Sequence, residues 1–131
     1  MSNLKQMHEN MSHLNVLYVE DESEVRGVTI QFLKKIFTNV DSAIDGQDGL
    51  EFFQKNKYDI VISDLKMPRM DGREMLSKIR ELDKDVLLFV MTASDSKIDV
   101  STTVCDAYLN KPVMISDFIE ALEPLQDRLL K

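Results

Sequence analysis

Glycine and proline are scarce in this chain, at 4 and 3 of 131 residues, which excludes long disordered tracts. Cysteine is nearly absent. The single Cys105 excludes an internal disulfide and suits a reducing compartment. It falls at a helix-to-strand junction with no histidine nearby in sequence, so it reads as a buried small hydrophobe rather than a nucleophile. Positive charge is in deficit too: 16 Lys and Arg stand against 23 Asp and Glu, for a net charge of −7. Such a domain is a poor electrostatic match for a phosphate backbone, and direct nucleic-acid binding is not expected. Residues 1–13 hold no apolar stretch fit for a signal peptide or a membrane span, which places the protein in the cytoplasm. The glycosylation pattern Asn10-Met11-Ser12 is then accidental.

What is present is enough apolar material, 44% of residues, for one globular domain with its own core. Residues 1–13 are polar apart from a few methionines and read as a flexible N-terminal extension, leaving a domain over residues 14–131. From Leu14 onward, strand and helix patterns alternate. Strands are expected over Leu14–Val19, Val40–Ile44, Ile60–Ser63, Asp85–Met91 and Ala107–Leu109. The fourth is the most apolar and is expected to be central. Helices are expected over Ser23–Phe37, with Ser23 as N-cap and Val25, Val28, Phe32, Leu33 and Ile36 facing inward, and over Gln47–Asn56. A third runs from Gly72, with Met75, Leu76, Ile79 and Leu82 as its inner face. A short or irregular fourth occupies Ser96–Val104. The last covers Met114–Leu130, kinked where the Pro124 ring meets the Glu120 carbonyl. Five strands alternating with five helices imply right-handed crossovers and a doubly wound parallel sheet.

Three acidic residues, Glu20, Asp21 and Asp64, sit at the C-terminal ends of two apolar strand patterns. That edge of a parallel α/β sheet is where such folds bind ligands. Two unit charges 4 Å apart repel by ~4 kcal/mol at an effective dielectric of 20, so the cluster calls for a cation. Hard oxygen ligands around an open position suit Mg²⁺.

Four fragments follow in order, each at or just past a strand end: Val19-Glu20-Asp21-Glu22, Ser63-Asp64-Leu65-Lys66-Met67-Pro68-Arg69-Met70-Asp71-Gly72, Met91-Thr92-Ala93 and Tyr108-Leu109-Asn110-Lys111-Pro112. Together they resemble the receiver domain of two-component response regulators over residues 14–130. The resemblance implies a flavodoxin-like fold of strand order 2-1-3-4-5 and transfer of a phosphoryl group from a kinase histidine to Asp64. It implies Asp21 as a direct Mg²⁺ ligand, Glu20 as a ligand through water, and a backbone carbonyl ligand from Lys66. Thr92 would supply a hydroxyl to the phosphoryl oxygens, Lys111 an ammonium, and Tyr108 the ring that reports a switch of the surface formed by the fourth helix, fifth strand and fifth helix. Val113, Met114, Phe118 and Ile98 are apolar candidates on that surface, and Ala93 leaves the phosphate site open. The resemblance implies a cis Lys111-Pro112 bond, where the residues alone favour trans.

The implied partners are a histidine kinase or histidine phosphotransfer protein upstream and an unknown target downstream, the receiver being a monomer or a phosphorylation-dependent dimer. It acts alone or as a fragment of a longer regulator. Two departures from the family pattern stand out. Thr92 and Lys111 are closer in sequence than is usual, and Val104 replaces a common glycine. Lys66, two residues past Asp64, places a long cation where it would alter acyl-phosphate hydrolysis.

Taken singly, these residues have plainer readings: Asp21 and Glu22 as a dipole cap, Asp64 as an Asx turn, Lys111 as a solvated loop lysine. Their convergence on one sheet edge decides against that. Among rivals, a Mg²⁺-dependent aspartate phosphohydrolase would want an acid at Lys66. A flavin module would want a hydroxyl-rich loop where Glu20-Asp21-Glu22 stands. A pseudo-receiver, an interaction module without phosphorylation, would not need Asp21, Asp64, Thr92 and Lys111 together.

Overall fold

The structure, a computed structural model, describes residues 3–92 and 103–130. Its strands are β1 Asn15–Val19, β2 Asn39–Ala43, β3 Ile60–Ser63, β4 Leu87–Thr92 and β5 Ala107–Asn110. All pairings are parallel, in the order β2-β1-β3-β4-β5, the flavodoxin-like arrangement. The described helices are α1 Leu4–Met11, α2 Ser23–Leu33, α3 Gly46–Lys55, α4 Gly72–Leu82, α5 Ile115–Leu122 and α6 Gln126–Leu129, with a 3-10 turn at Glu123–Leu125.

Each central strand feeds two cores, because successive side chains point to opposite faces. Val16, Tyr18, Ile60, Ile62, Phe89 and Met91 pack under α1, α2 and α5. Leu17, Val19, Val61, Leu88 and Val90 pack under α3 and α4. Strands covered on both faces are continuous in apolar residues. That is why β1, β3 and β4 all read as apolar runs: β4, the most apolar, is an interior strand between β5 and β3, and β3 occupies the middle.

Several expectations are corrected. The loose extension expected over residues 1–13 contains α1, which buries Met7 and Met11 completely against the α2/α5 side of the core. Its start is fixed by a reciprocal cap, Gln6 N–H to Asn3 Oδ1 at 2.9 Å and Asn3 N–H to Gln6 Oε1 at 3.1 Å. Helix α2 ends at Leu33 rather than Phe37, and its N-cap is Glu22, not Ser23, without a side-chain cap bond.

Val28 and Leu82, expected to face inward, are 70% and 58% exposed, since each lies at the edge of its helix's apolar stripe. Phe118 is not on the surface but fully buried, edge-on to Phe32 and Phe37. Cys105 is half-buried beside the α3/α4 core. The Pro124 kink becomes a break: α5 stops at Leu122, the chain turns through Glu123–Leu125, and α6 resumes at Gln126. The expected Ser96–Val104 helix falls almost wholly outside the described residues, as do Ala93 and Ile98.

Candidate functional site

The C-terminal rim of the sheet assembles the site by extending the strand ladder one residue past the strand ends. Glu20 N–H donates to Ala43 O at 3.1 Å, Asp64 N–H to Val19 O at 3.2 Å, and Lys111 N–H to Thr92 O at 2.7 Å. With the β3–β4 pairing, these bonds hold the ends of all five strands side by side. Glu20, Asp21 and Asp64 each offer a carboxylate oxygen, all within 4.8 Å of one another. The Lys111 ammonium lies among them, with Nζ 2.6 Å from Glu20 Oε1 and 2.9 Å from Asp64 Oδ2.

Glu20 is the most constrained member, at 1% exposure. Burial raises its pKa and Lys111 pulls it back only in part. Its second oxygen accepts from Glu22 N–H at 3.2 Å. For Lys111, burial works to lower the pKa, but the bonds to Glu20 and Asp64 prevail and raise it. Tyr18, directly below, is fully buried and its phenol pKa is raised by that burial; its hydroxyl lies 3.4 Å from Glu20 Oε1. Arg26 reaches back from α2 to donate to Glu20 O at 2.8 Å, placing a positive charge beside the anionic cluster.

The loop after β3, Asp64–Asp71, turns the chain back into α4, which Asp71 caps by accepting from Glu74 N–H at 2.9 Å. Leu65 N–H donates to Asp64 Oδ1 at 2.7 Å, leaving Oδ2 for Lys111. Gly72 has to be glycine, because a Cβ there would stand 2.1 Å from Asp64 O. Thr92 is buried at the end of β4, Tyr108 is 48% exposed on edge strand β5, and the Lys66 side chain is exposed. The Lys111-Pro112 peptide is cis. Beside Lys111 a groove of about 550 Å³ opens between Val25, Val28 and Phe32 of α2 and Pro112 and Val113.

The structure brings the carboxylates of Glu20, Asp21 and Asp64 and the Lys111 ammonium together on this rim, with Thr92 at the end of β4 and Tyr108 within edge strand β5. Sequence reasoning missed Tyr18, Arg26 and the Arg69–Asp45 pair on the loop. Each acts through a contact that no local pattern announces.

These features match the family model for the response regulator receiver domain over residues 16–123. The chain belongs to that family. It is 37% identical over 113 residues to the transcriptional regulatory protein PdtaR of Mycobacterium tuberculosis, covering 82% of this chain and 54% of that one. With the probable transcriptional regulator ycf29 of Porphyra purpurea it shares 29% over 116 residues, covering 85% and 56%. The chain thus spans about half the length of these curated relatives.

Among solved structures it is similar to the response regulator TrrA of Thermotoga maritima, determined in complex with Mg(2+)-BeF. That likeness has a TM-score of 0.76 and 28% identity, covering 86% of this chain and 99% of the other. A receiver domain protein of Clostridium thermocellum shares the fold at TM-score 0.76 and 24% identity, covering 88% and 96%. Receiver domains in general accept a phosphoryl group from histidine kinases and bind Mg²⁺ at an acidic pocket. No described helix is long and apolar enough to cross a membrane.

Proposed function

We propose that this chain is a phosphorylatable receiver, with Asp64 as acceptor and histidine-bound phosphate as donor. The observation that carries the reading is the Lys111 ammonium bridging Asp64 and Glu20 inside a cluster of three carboxylates. A site poised for an oxyanion needs fixed positive charge next to its nucleophile.

The donor set fits a hard divalent cation: three carboxylates converge, and the single ammonium of Lys111 bridging two of them leaves the cluster net negative. Asp21 and Asp64 would hold the ion directly, the Lys66 carbonyl would add an oxygen, and Glu20 would bind through water. Bound there, Mg²⁺ would neutralise charge on the phosphoryl oxygens. Asp64 Oδ attacks phosphorus as the P–N bond breaks, its electron pair leaving with the imidazole nitrogen, and an acyl phosphate remains. Lys111 moves its bond from Asp64 to a phosphoryl oxygen, and the Thr92 hydroxyl donates to another. Glu20 keeps the ammonium aimed at the site. The apolar groove beside Lys111 gives the donor, a histidine kinase or histidine phosphotransfer protein, a surface to rest on.

Thr92 moving toward the phosphoryl group would free space for Tyr108 to turn inward from β5, altering the surface around β5 and α5 for a downstream partner or for dimerisation. The exposure of Tyr108 beside a buried Thr92 supports this direction of travel. About 5.5 kcal/mol of differential interaction reverses such an equilibrium from 1:99 to 99:1, within reach of a few charge-assisted hydrogen bonds.

Intact-mass analysis after treatment with acetyl phosphate and Mg²⁺ tests the acceptor. The wild type should gain one phosphoryl group and Asp64→Asn none; a gain by Asp64→Asn would refute the assignment. Hydrogen exchange tests the switch. Phosphorylation should change protection around β5 in the wild type and much less in Tyr108→Ala, and an undiminished change would remove the ring from the mechanism.

A further inference from the structure

The loop that carries Asp64 is fastened at two places. At its base, Gly72 N–H donates to Leu65 O at 2.7 Å. At its tip, Met70 O accepts from Gly46 N–H at 3.0 Å, across from the start of α3. A Cβ on Gly46 would stand 2.0 Å from Met70 O, so loop and helix touch backbone to backbone. Arg69, next to Met70, then grips Asp45 with two parallel bonds, Nε to Oδ2 at 2.7 Å and Nη2 to Oδ1 at 3.1 Å. Lys66 lies between the two fastenings.

Arg69 adopts a φ of 65°, the left-handed region that glycine and asparagine occupy at least cost. A loop that needed only to turn would be better served by glycine. The arginine side chain is what the position gains. Its partner is no ordinary surface carboxylate: the Asp45 side chain is 6% exposed and also caps α3 by accepting from Asp48 N–H at 2.8 Å. The Arg69 side chain is 57% exposed, so the pair adds little stability of its own, but a paired fork onto a buried, helix-anchored carboxylate fixes direction as well as distance. Arg69 thus adds a side-chain clasp to the backbone contact at the loop tip, tying it to the segment between β2 and α3.

We propose that Arg69 is a positioning residue for the acceptor site, its clasp on Asp45 holding residues 64–71 in the shape that presents Asp64 and the Lys66 carbonyl to a divalent cation. The inference rests on the acceptor reading of Asp64. Arg69 itself touches neither the phosphoryl group nor the ion and acts through the loop.

Calorimetric Mg²⁺ titration of wild type, Arg69→Met, Asp45→Ser and the double variant tests it, with thermal melting in Mg²⁺-free buffer alongside. Serine keeps the helix cap but is too short for the clasp. Each single variant, while folded, should bind Mg²⁺ about tenfold more weakly, the low end for outer partners of a metal site. The double variant should be no worse than either single one, as expected of two residues acting through one contact. A folded Arg69→Met protein with a Kd within twofold of wild type, whatever its melting temperature, overturns the proposal, and so do losses that multiply in the double variant. If wild type itself takes up neither Mg²⁺ nor phosphate, the acceptor reading falls and this inference with it. Tight wild-type binding left unchanged in Arg69→Met defeats this inference alone.

Discussion

At 1% exposure, Glu20 has given up the hydration that keeps a carboxylate at its usual pKa, and Lys111 at 2.6 Å restores part of that loss. The same ammonium lies 2.9 Å from Asp64, so one side chain serves both the resting charge balance and the incoming phosphate. Replacing it with methionine should slow phosphoryl uptake from acetyl phosphate by about 100-fold, the usual effect of losing one donor to a developing oxyanion. Mg²⁺ binding should persist, because a competitor for the carboxylates is gone. The rate of mass gain reads the first and calorimetry the second; an unchanged rate would show that Lys111 only balances charge. The sequence marked Lys111, Glu20 and Asp64 through their places after strand patterns. It did not mark Tyr18, which looks like any strand aromatic until its hydroxyl is seen under Glu20.

At the scale of elements, the N-terminal helix is the clearest departure from what the sequence suggested. Eight residues with a polar majority are too short to hold a helix alone in water. Met7 and Met11 lie one turn apart and enter the core together with Leu33, Phe37 and Leu14, and that packing supplies the stability. Met11→Ala should therefore destabilise the domain by about 2–5 kcal/mol, the cost of a buried Met-sized cavity. The shift in urea midpoint measures it; an unaltered midpoint would mean that α1 contributes nothing to the fold. The cap residues Asn3 and Gln6, three apart, were the available signal, and a chain start carrying only scattered apolar residues made it easy to pass over. Pro124 was legible because its effect is local. It ends α5 whatever surrounds it.

At the scale of the whole molecule, pH exposes which ties hold distant segments together. Asp106, ahead of β5, accepts from Arg80 at 2.7 Å, Arg128 at 3.0 Å and Leu88 N–H at 2.8 Å, joining α4, α6 and β4. Burial tends to raise its pKa, but those partners prevail and lower it. Asp45 is lowered as well, chiefly by Arg69. A carboxyl with a depressed folded pKa contributes stability above its unfolded value, near 3.8, and loses it as pH falls through the folded value. Tyr58 is the alkaline counterpart. Burial first, then its 2.6 Å bond to Asp41, raises its pKa above the ordinary 10.0. Its contribution is complete below pH 10.0 and is lost as pH rises through the folded value. Stability against urea should fall in acid as Asp106 and Asp45 take up protons, and again in alkali above pH 10.0 as Tyr58 loses its own. In an Asp106→Asn protein the acid decline should shrink, and an acid limb identical to wild type would exclude that carboxyl as a cause.

The alternation of apolar runs with amphipathic stretches determined the layered architecture, because periodicity reports which faces leave water. The acidic residues after the first and third strands, the threonine at the end of the fourth and the lysine after the fifth determined the candidate site, because parallel topology brings successive strand ends to one rim. Only the folded chain decided that Met7 and Met11 enter the core, that Val28 faces solvent, and that Arg69 clasps Asp45. These depend on contacts between segments far apart in sequence, whose energies exist only once both are in place, and a local pattern carries no record of them.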